Sequence, residues 1–251
     1  MSAAHLALLV AAGVGAGLAG SVTGLASLVS YPALLATGLS PVSANVTNTA
    51  ALVFSGVGAT LGSRPELAGQ RTRVLRLCAA SATGGVLGGA LLLLTPEGGF
   101  ERTVPWLIGL ASVSILLRPV RLARAVAHPG HTDGRAVQAA VLAVAIYGGY
   151  FGAGAGVVLL ALLLAVTGEP LPRSNAVKNV VLGVSNAVAA VAFAVFGPVD
   201  WSAVVPLALG FLAGGRLGPV VVRRAPAGAL RTVIGLAGIA LAVRLGVQAY
   251  G

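Results

Sequence analysis

Polar and apolar positions do not alternate along this chain in the manner of strands, nor do they mark out short amphipathic helices. Instead, long apolar runs are separated by brief charged loops. The first Asp, Glu, Lys or Arg is Arg64, and charge-free stretches then run 77–94, 103–117, 136–168, 179–199, 201–215 and 232–243. A bilayer core about 30 Å thick takes roughly 20 helical residues. The pattern therefore predicts at least six ordinary spans, near 43–62, 76–94, 103–120, 174–196, 201–222 and 229–249, the last interrupted by Arg244. Two further segments, 3–37 and 136–167, are too long for one straight crossing. Each must break, and glycine clusters mark where: Gly13, Gly15, Gly17, Gly20 and Gly24 in the first, Gly148, Gly149, Gly152, Gly154 and Gly156 in the second.

Shifted by 130 positions, the chain matches itself. Gly24 falls on Gly154, Thr37 and Gly38 on Thr167 and Gly168, Asn45 on Asn175, and Ser55 on Ser185. Gly84, Gly85 and Gly88 fall on Gly214, Gly215 and Gly218, and one residue out of register Arg102, Thr103 and Val104 fall on Arg231, Thr232 and Val233. Coincident amides and glycines at one offset indicate a duplication. The chain is read as a single membrane domain, 1–251, with one copy in 1–125 and a second in 131–251. Each copy is a broken or re-entrant helical hairpin followed by three transmembrane helices. The fold class is all-α and polytopic.

Charge then orients the spans. Cytoplasmic loops collect Lys and Arg. Arg64, Arg71, Arg73 and Arg76 mark one inside loop, and Arg118, Arg121, Arg124 and Arg135 another. If 136–167 doubles back, Arg173, Lys178, Arg223, Arg224 and Arg231 also lie inside, together with Arg216 near the same surface, leaving only Arg102 and Arg244 of 16 basic residues elsewhere. The turn with Glu97 and Glu101 then lies outside, with both termini and the interfacial Trp106 and Trp201. A hairpin plus three spans reverses the second copy relative to the first, and inverted repeats of this kind build transporters. The amino-terminal apolar run lacks a basic segment before it and has an internal counterpart, so it is read as part of the membrane domain and not as a secretory signal.

Composition excludes several classes. Hydrophobic residues make up 57% of the 251 and charged ones 9%, against about 25% charged in soluble domains. The net charge of +10 is loop arginine without interleaved aromatics, which argues against a nucleic-acid partner. Cys78 is the only cysteine and reads as a core residue. No set of nucleophile, base and metal ligand converges in the spans. His128 and His131 fall in the central loop with His5 near the amino terminus, and no enzyme activity, metal or cofactor is expected.

The candidate binding residues are polar groups inside the apolar runs. All six carboxylates, Glu66, Glu97, Glu101, Asp133, Glu169 and Asp200, fall in loops or at segment ends. The polar groups at corresponding places in the two copies are amides, hydroxyls and one ammonium: Ser21, Thr23, Ser27, Ser30, Asn45, Thr47, Asn48 and Ser55 in the first, Asn175, Lys178, Asn179, Ser185 and Asn186 in the second. Of these, Ser27, Asn45, Thr47, Asn48, Asn175, Lys178, Asn179 and Ser185 are the candidate binding residues. Such groups either tie helices together or hold a ligand. Lys178, the only lysine, either snorkels to the interface or holds an anion. Broken helices add half-helix N-termini with free N–H groups, which suit anions. The hairpin glycines that place them are Gly20, Gly24, Gly152, Gly154 and Gly156.

The run GGYFGAGAGVVLLALLLAVTGEPLPRSNAVKNVVLGVSN, 148–186, closely resembles the second repeat of the sulfite exporter TauE/SafE family of bacterial membrane permeases. The first copy agrees in its hairpin, in the turn from Pro32 to Gly38 and in ANVTNTAALVFSG. The resemblance implies a permease in the cell inner membrane that moves sulfite, a sulfonate or another small sulfur-containing or organic anion, with Asn175, Lys178 and Asn179 near its path. One departure is GSVTGLASLVSYP in the first hairpin, where Ser21, Thr23 and Ser27 replace denser glycine. Alternating access by a small-anion permease is the expected function, against a channel-like anion conduit or a membrane scaffold that transports nothing. The expected partners are the anion and the lipid bilayer, with a homodimer left open.

Overall fold

A computed structural model describes residues 2–116, 134–224 and 228–250. The central loop with Arg118, Arg121, Arg124, His128, His131 and Asp133 lies outside the described residues, as does Gly251. Among the described residues the structure is helical, without strands: α1 (Ala3–Thr23), α2 (Ala26–Ala36), α3 (Pro41–Gly62), α4 (Arg64–Leu67), α5 (Arg71–Leu94), α6 (Glu97–Leu116), α7 (Arg135–Tyr150), α8 (Ala155–Thr167), α9 (Leu171–Phe196), α10 (Trp201–Arg224) and α11 (Gly228–Tyr250). By length and composition α1, α5, α9 and α10 can cross a membrane, while α2 and α8 are shorter apolar helices. Helix α3 is 22 residues long. Ser43, Asn45, Thr47, Asn48, Thr49, Ser55 and Thr60 make it less apolar than those four.

Both long apolar segments break within their glycine clusters, the first at its last glycine and the second at Gly152 and Gly154. Helix α1 ends at Gly24, whose φ of 84° is a left-handed conformation that glycine adopts without strain. Gly152 and Gly154, at φ 77° and 78°, turn the chain between α7 and α8. The earlier glycines of the first cluster do different work. A Cβ on Gly17 would stand 2.8 Å from Gly215 N, so Gly17 lets α1 lie backbone to backbone on α10. The first hairpin folds back on itself: Gly20 faces Ala26, and Gly15 faces Val29. Because α1 has 21 residues and α2 has 11, this hairpin joins a full-length helix to a short return arm.

Small residues set the remaining contacts and fix the helix directions. Along α1 and α10, Val14 meets Gly210 and Ser21 meets Gly218, so these two run parallel. Helix α3 is parallel to α10, with Thr47 Oγ1 accepting from Asp200 N at 3.0 Å near one end and Gly62 against Arg216 near the other. Helix α5 runs parallel to α7, with Gly84 facing Leu142 and Gly88 facing Tyr150, and to α9, where Ser81 Oγ donates to Val181 O at 2.6 Å. Helices α3 and α9 are antiparallel: Ser43 Oγ donates to Pro198 O at 2.8 Å, Gly56 faces Gly183, and beyond α4 Ala68 O accepts from Arg173 Nη2 at 3.0 Å. Helices α6 and α11 are also antiparallel, with Arg102 O accepting from the Tyr250 hydroxyl at 2.7 Å and Gly109 facing Ala242.

Most carboxylates and their partners lie at the ends of the helices. Arg223 Nε donates to Glu66 Oε1 at 2.7 Å, tying the end of α10 to α4. Arg173 pairs with Glu169 one turn away at 3.1 Å, which accounts for the carboxylate nearest the second hairpin. Asp200 Oδ1 accepts from the Ser202 and Ala203 N–H groups and caps α10. Trp106, Trp201 and Arg216 are exposed.

Candidate functional site

The two helix breaks meet. A Cβ built on Gly156 would stand 2.5 Å from Gly24 Cα, so the α1–α2 corner and the start of α8 touch through bare backbone. Beside this contact lies a cavity of about 60 Å³, room for a few waters or one small ion. It is lined by Ala26 and Ser27, which open α2, and by Ala155 and Gly156, which open α8. No side chain caps either helix, so two positive dipole ends border one space. Gly20, Gly24, Gly148 and Gly152 line it from the breaks, and Ser55, Lys178, Asn179 and Asn186 from the long helices α3 and α9. No carboxylate lines it.

Lys178 is 1% exposed, so it does not snorkel. Its Nζ donates to Gly20 O at 2.9 Å and to Ser21 O at 3.4 Å, the last-turn carbonyls of α1. That is where an ammonium belongs, at the negative end of a helix, although Gly20 O also accepts from the capping Gly24 N–H at 2.8 Å. Asn175 Nδ2 donates to the same Ser21 O at 2.7 Å and Asn179 Nδ2 at 3.4 Å. Three side chains of α9 therefore close the end of α1. The counterpart contact joins α3 to α7: Asn45 Nδ2 donates to Tyr150 O at 2.8 Å.

Of the residues singled out in the sequence, Ser27, Lys178, Asn179, Gly20, Gly24, Gly152 and Gly156 surround the cavity. Others stand behind it. Asn48 accepts from Ser30 Oγ at 2.6 Å and donates to Ser27 Oγ at 3.2 Å, holding a lining hydroxyl in place. Asn45 and Asn175 hold the helix ends. Ser185 Oγ donates to Ala145 O at 3.3 Å and ties α9 to α7. Thr47 lies furthest out, binding the α9–α10 turn. Ser55 and Asn186, which the sequence grouped with the polar residues of the spans but not with the binding candidates, also line the cavity. A second cavity, about 210 Å³, lies near Tyr31, Pro41, Glu101 and Gln248. It is larger but borders neither helix break.

A bundle of apolar helices, broken at two touching points beside a small cavity that Lys178, Asn179, Asn186, Ser27 and Ser55 help to line, fits a polytopic membrane transporter. The chain belongs to the TauE family of sulfite exporters, TauE/SafE, whose family model matches residues 9–245. It is 26% identical, over 96% of its own length and 92% of the relative's, to the "Probable membrane transporter protein ORF9" of Sinorhizobium sp. No solved structure matches it. The family and the relative are transporters and not enzymes.

Proposed function

We propose that this protein carries a small anion across the cell inner membrane by alternating access between two inverted copies of one helical unit, 1–125 and 131–251. The observation that carries the reading is the chemistry of the central cavity. An ammonium, two side-chain amides, hydroxyls and the starts of α2 and α8, which no side chain caps, surround it without a carboxylate. Such donors stabilise negative charge and reject cations. The family's description as sulfite exporters makes sulfite, sulfonates and related sulfur-containing or organic anions the first candidates.

The helix directions support the inverted arrangement. Helices α1, α3 and α10 run one way, and α5, α7 and α9 run the other. Under the 130-residue shift α1 corresponds to α7, α3 to α9 and α5 to α10, so each helix is antiparallel to its counterpart. The contacts exchange in the same way. Gly85 packs on Ser185 while Gly215 packs on Ser55, and Asn175 reaches the end of α1 while Asn45 reaches the end of α7. In this reading both termini face outward. The anion sits where the copies meet, and rocking one copy against the other would expose it alternately.

The test is counterflow in reconstituted vesicles with sulfite, thiosulfate, sulfonates and carboxylates, paired with thermal unfolding in each. Saturable exchange of labelled for unlabelled anion, with stabilisation by the same anion, is the expected result. Flux without saturation would indicate a conduit. No flux and no stabilisation by any member would leave a scaffold.

A further inference from the structure

Asn45 and Asn175 share a feature that anion binding does not use. Both are 1% exposed, and both spend Nδ2 on the last-turn carbonyl of a broken helix, Tyr150 O at 2.8 Å and Ser21 O at 2.7 Å. In both, Oδ1 is buried with no hydrogen-bond partner. Exchanging the two ends of either amide would set oxygen against oxygen, so Oδ1 remains the unmet acceptor. Buried acceptors without donors are costly, and these two recur at equivalent positions. Each stands at the C-terminal end of a helix, the negative end of its dipole. Acceptors and dipole together call for positive charge.

At the end of α1 a charge for the dipole and the carbonyls is built in, although Asn175 Oδ1 itself does not accept from it. Lys178 places its ammonium on Gly20 O and Ser21 O, beside Asn175. At the end of α7 the residue corresponding to Lys178 is Asn48, which is neutral and bonded to Ser27 and Ser30. The α7 end thus has the carbonyl and the orphan amide oxygen but lacks the ammonium. We propose that a small monovalent cation of the sodium class binds at the C-terminal end of α7, with Asn45 Oδ1 and Tyr150 O among its ligands, in the role that Lys178 fills at the end of α1. These ligands are neutral oxygens, which suit a hard monovalent ion. A divalent ion would call for carboxylates, and among the described residues no group of three His, Cys, Asp or Glu side chains could hold a metal. The site stands on its own geometry. Its use as the ion coupled to anion movement rests on the transport reading above.

Thermal unfolding of the purified full chain, in sodium, lithium, potassium or choline chloride at constant ionic strength and without other anions, tests the site directly. Sodium or lithium should raise Tm saturably, by roughly 5–10 °C at a hundredfold excess over Kd. Asn45→Leu should abolish the rise. So should Asn48→Lys, which supplies an ammonium in the ion's place, while Asn175→Leu should leave it. Equal Tm of the unaltered protein in all four salts overturns the proposal, as does a rise obtained only with magnesium or calcium, or a full sodium response in a folded Asn45→Leu. A sodium response in a protein that moves no anion would keep the site and sink the transport reading instead.

Discussion

Gly24 and Gly156 approach so closely that neither has room for a side chain. A Cβ on either would lie 2.5 Å from the Cα of the other. Gly24 also needs its positive φ, whereas Gly156 opens a regular helix, so the two separate crowding from backbone strain. Gly156→Ala adds one methyl at the crossing of the breaks and is expected to destabilise the protein by about 1–3 kcal/mol through overpacking alone. Gly24→Ala should cost more, since it adds the left-handed penalty of about 1–2 kcal/mol. Tm of the two purified variants checks the order. An unshifted Gly156→Ala would mean that the breaks do not touch in the folded protein.

The break positions illustrate what the sequence could and could not say. Glycine clusters located both broken segments, but ten glycines offered ten places to break. Only Gly24, Gly152 and Gly154 take the left-handed conformation that turns the chain, while Gly13 and Gly17 pack against α10 and Gly156 against Gly24. A pattern of apolar residues cannot separate these uses, because a glycine that accepts a neighbouring backbone and one that turns the chain read alike. The 130-residue offset was legible because amides and glycines matched at a constant spacing, and helix boundaries follow it closely, as Arg71–Leu94 and Trp201–Arg224 show. Lys178 was visible as the only lysine but its environment was not. Whether it reached water depended on α1 ending beside it, a contact across more than 150 residues. Thr47 looked like its polar neighbours and proved to face a turn, since one residue of helical shift moves a side chain about 100° around the axis.

Lys178 is the one lining group with a full charge, and its removal should be felt mainly by the anion. A charge-assisted hydrogen bond contributes about 1.5–3 kcal/mol, which corresponds to roughly a tenfold or larger loss of affinity. Lys178→Ala is therefore expected to reduce anion flux at least about tenfold in reconstituted vesicles. It also leaves Gly20 O and Ser21 O without the ammonium, so insertion and Tm are measured beside flux. Unchanged flux in a normally inserted variant would remove Lys178 from the site.

Glu66 and Arg223 provide a pH-dependent tie between α4 and α10. The guanidinium hydrogen bonds hold the Glu66 carboxyl below its usual range, against a smaller opposing effect of burial. A carboxyl with a depressed folded-state pKa contributes stability above its unfolded pKa, near 4.3, and loses it as pH falls through the lower folded value. The partly exposed pair is screened by solvent, so its contribution is small. Glu66→Gln should lower Tm slightly at neutral pH, and the gap should close below about pH 4. A gap that persists unchanged in acid would show that packing of the side chain, and not its charge, holds α4.

The helix directions make a prediction about sidedness that needs no substrate. Helices α1, α3 and α10 begin at the end of the bundle where α5 and α9 finish, so Ser2, before α1, and Gly98, just inside α6, should lie on one side of the membrane. Ala68, between α4 and α5, should lie on the other. All three are exposed, and Gly98 has open space around it. With Cys78→Ser as background, single cysteines at Ser2 and Gly98 should label with an impermeant maleimide from the outer face of intact cells, and Ala68→Cys only after permeabilisation. The outward assignment follows from the basic residues near Ala68, namely Arg64, Arg71, Arg73 and Arg76, set against Glu97 and Glu101 near Gly98. Labelling of Ser2→Cys and Ala68→Cys from the same face would break the parallel run of α1 and α3, and with it the proposed opposed orientation of the two copies and the alternating access built on it.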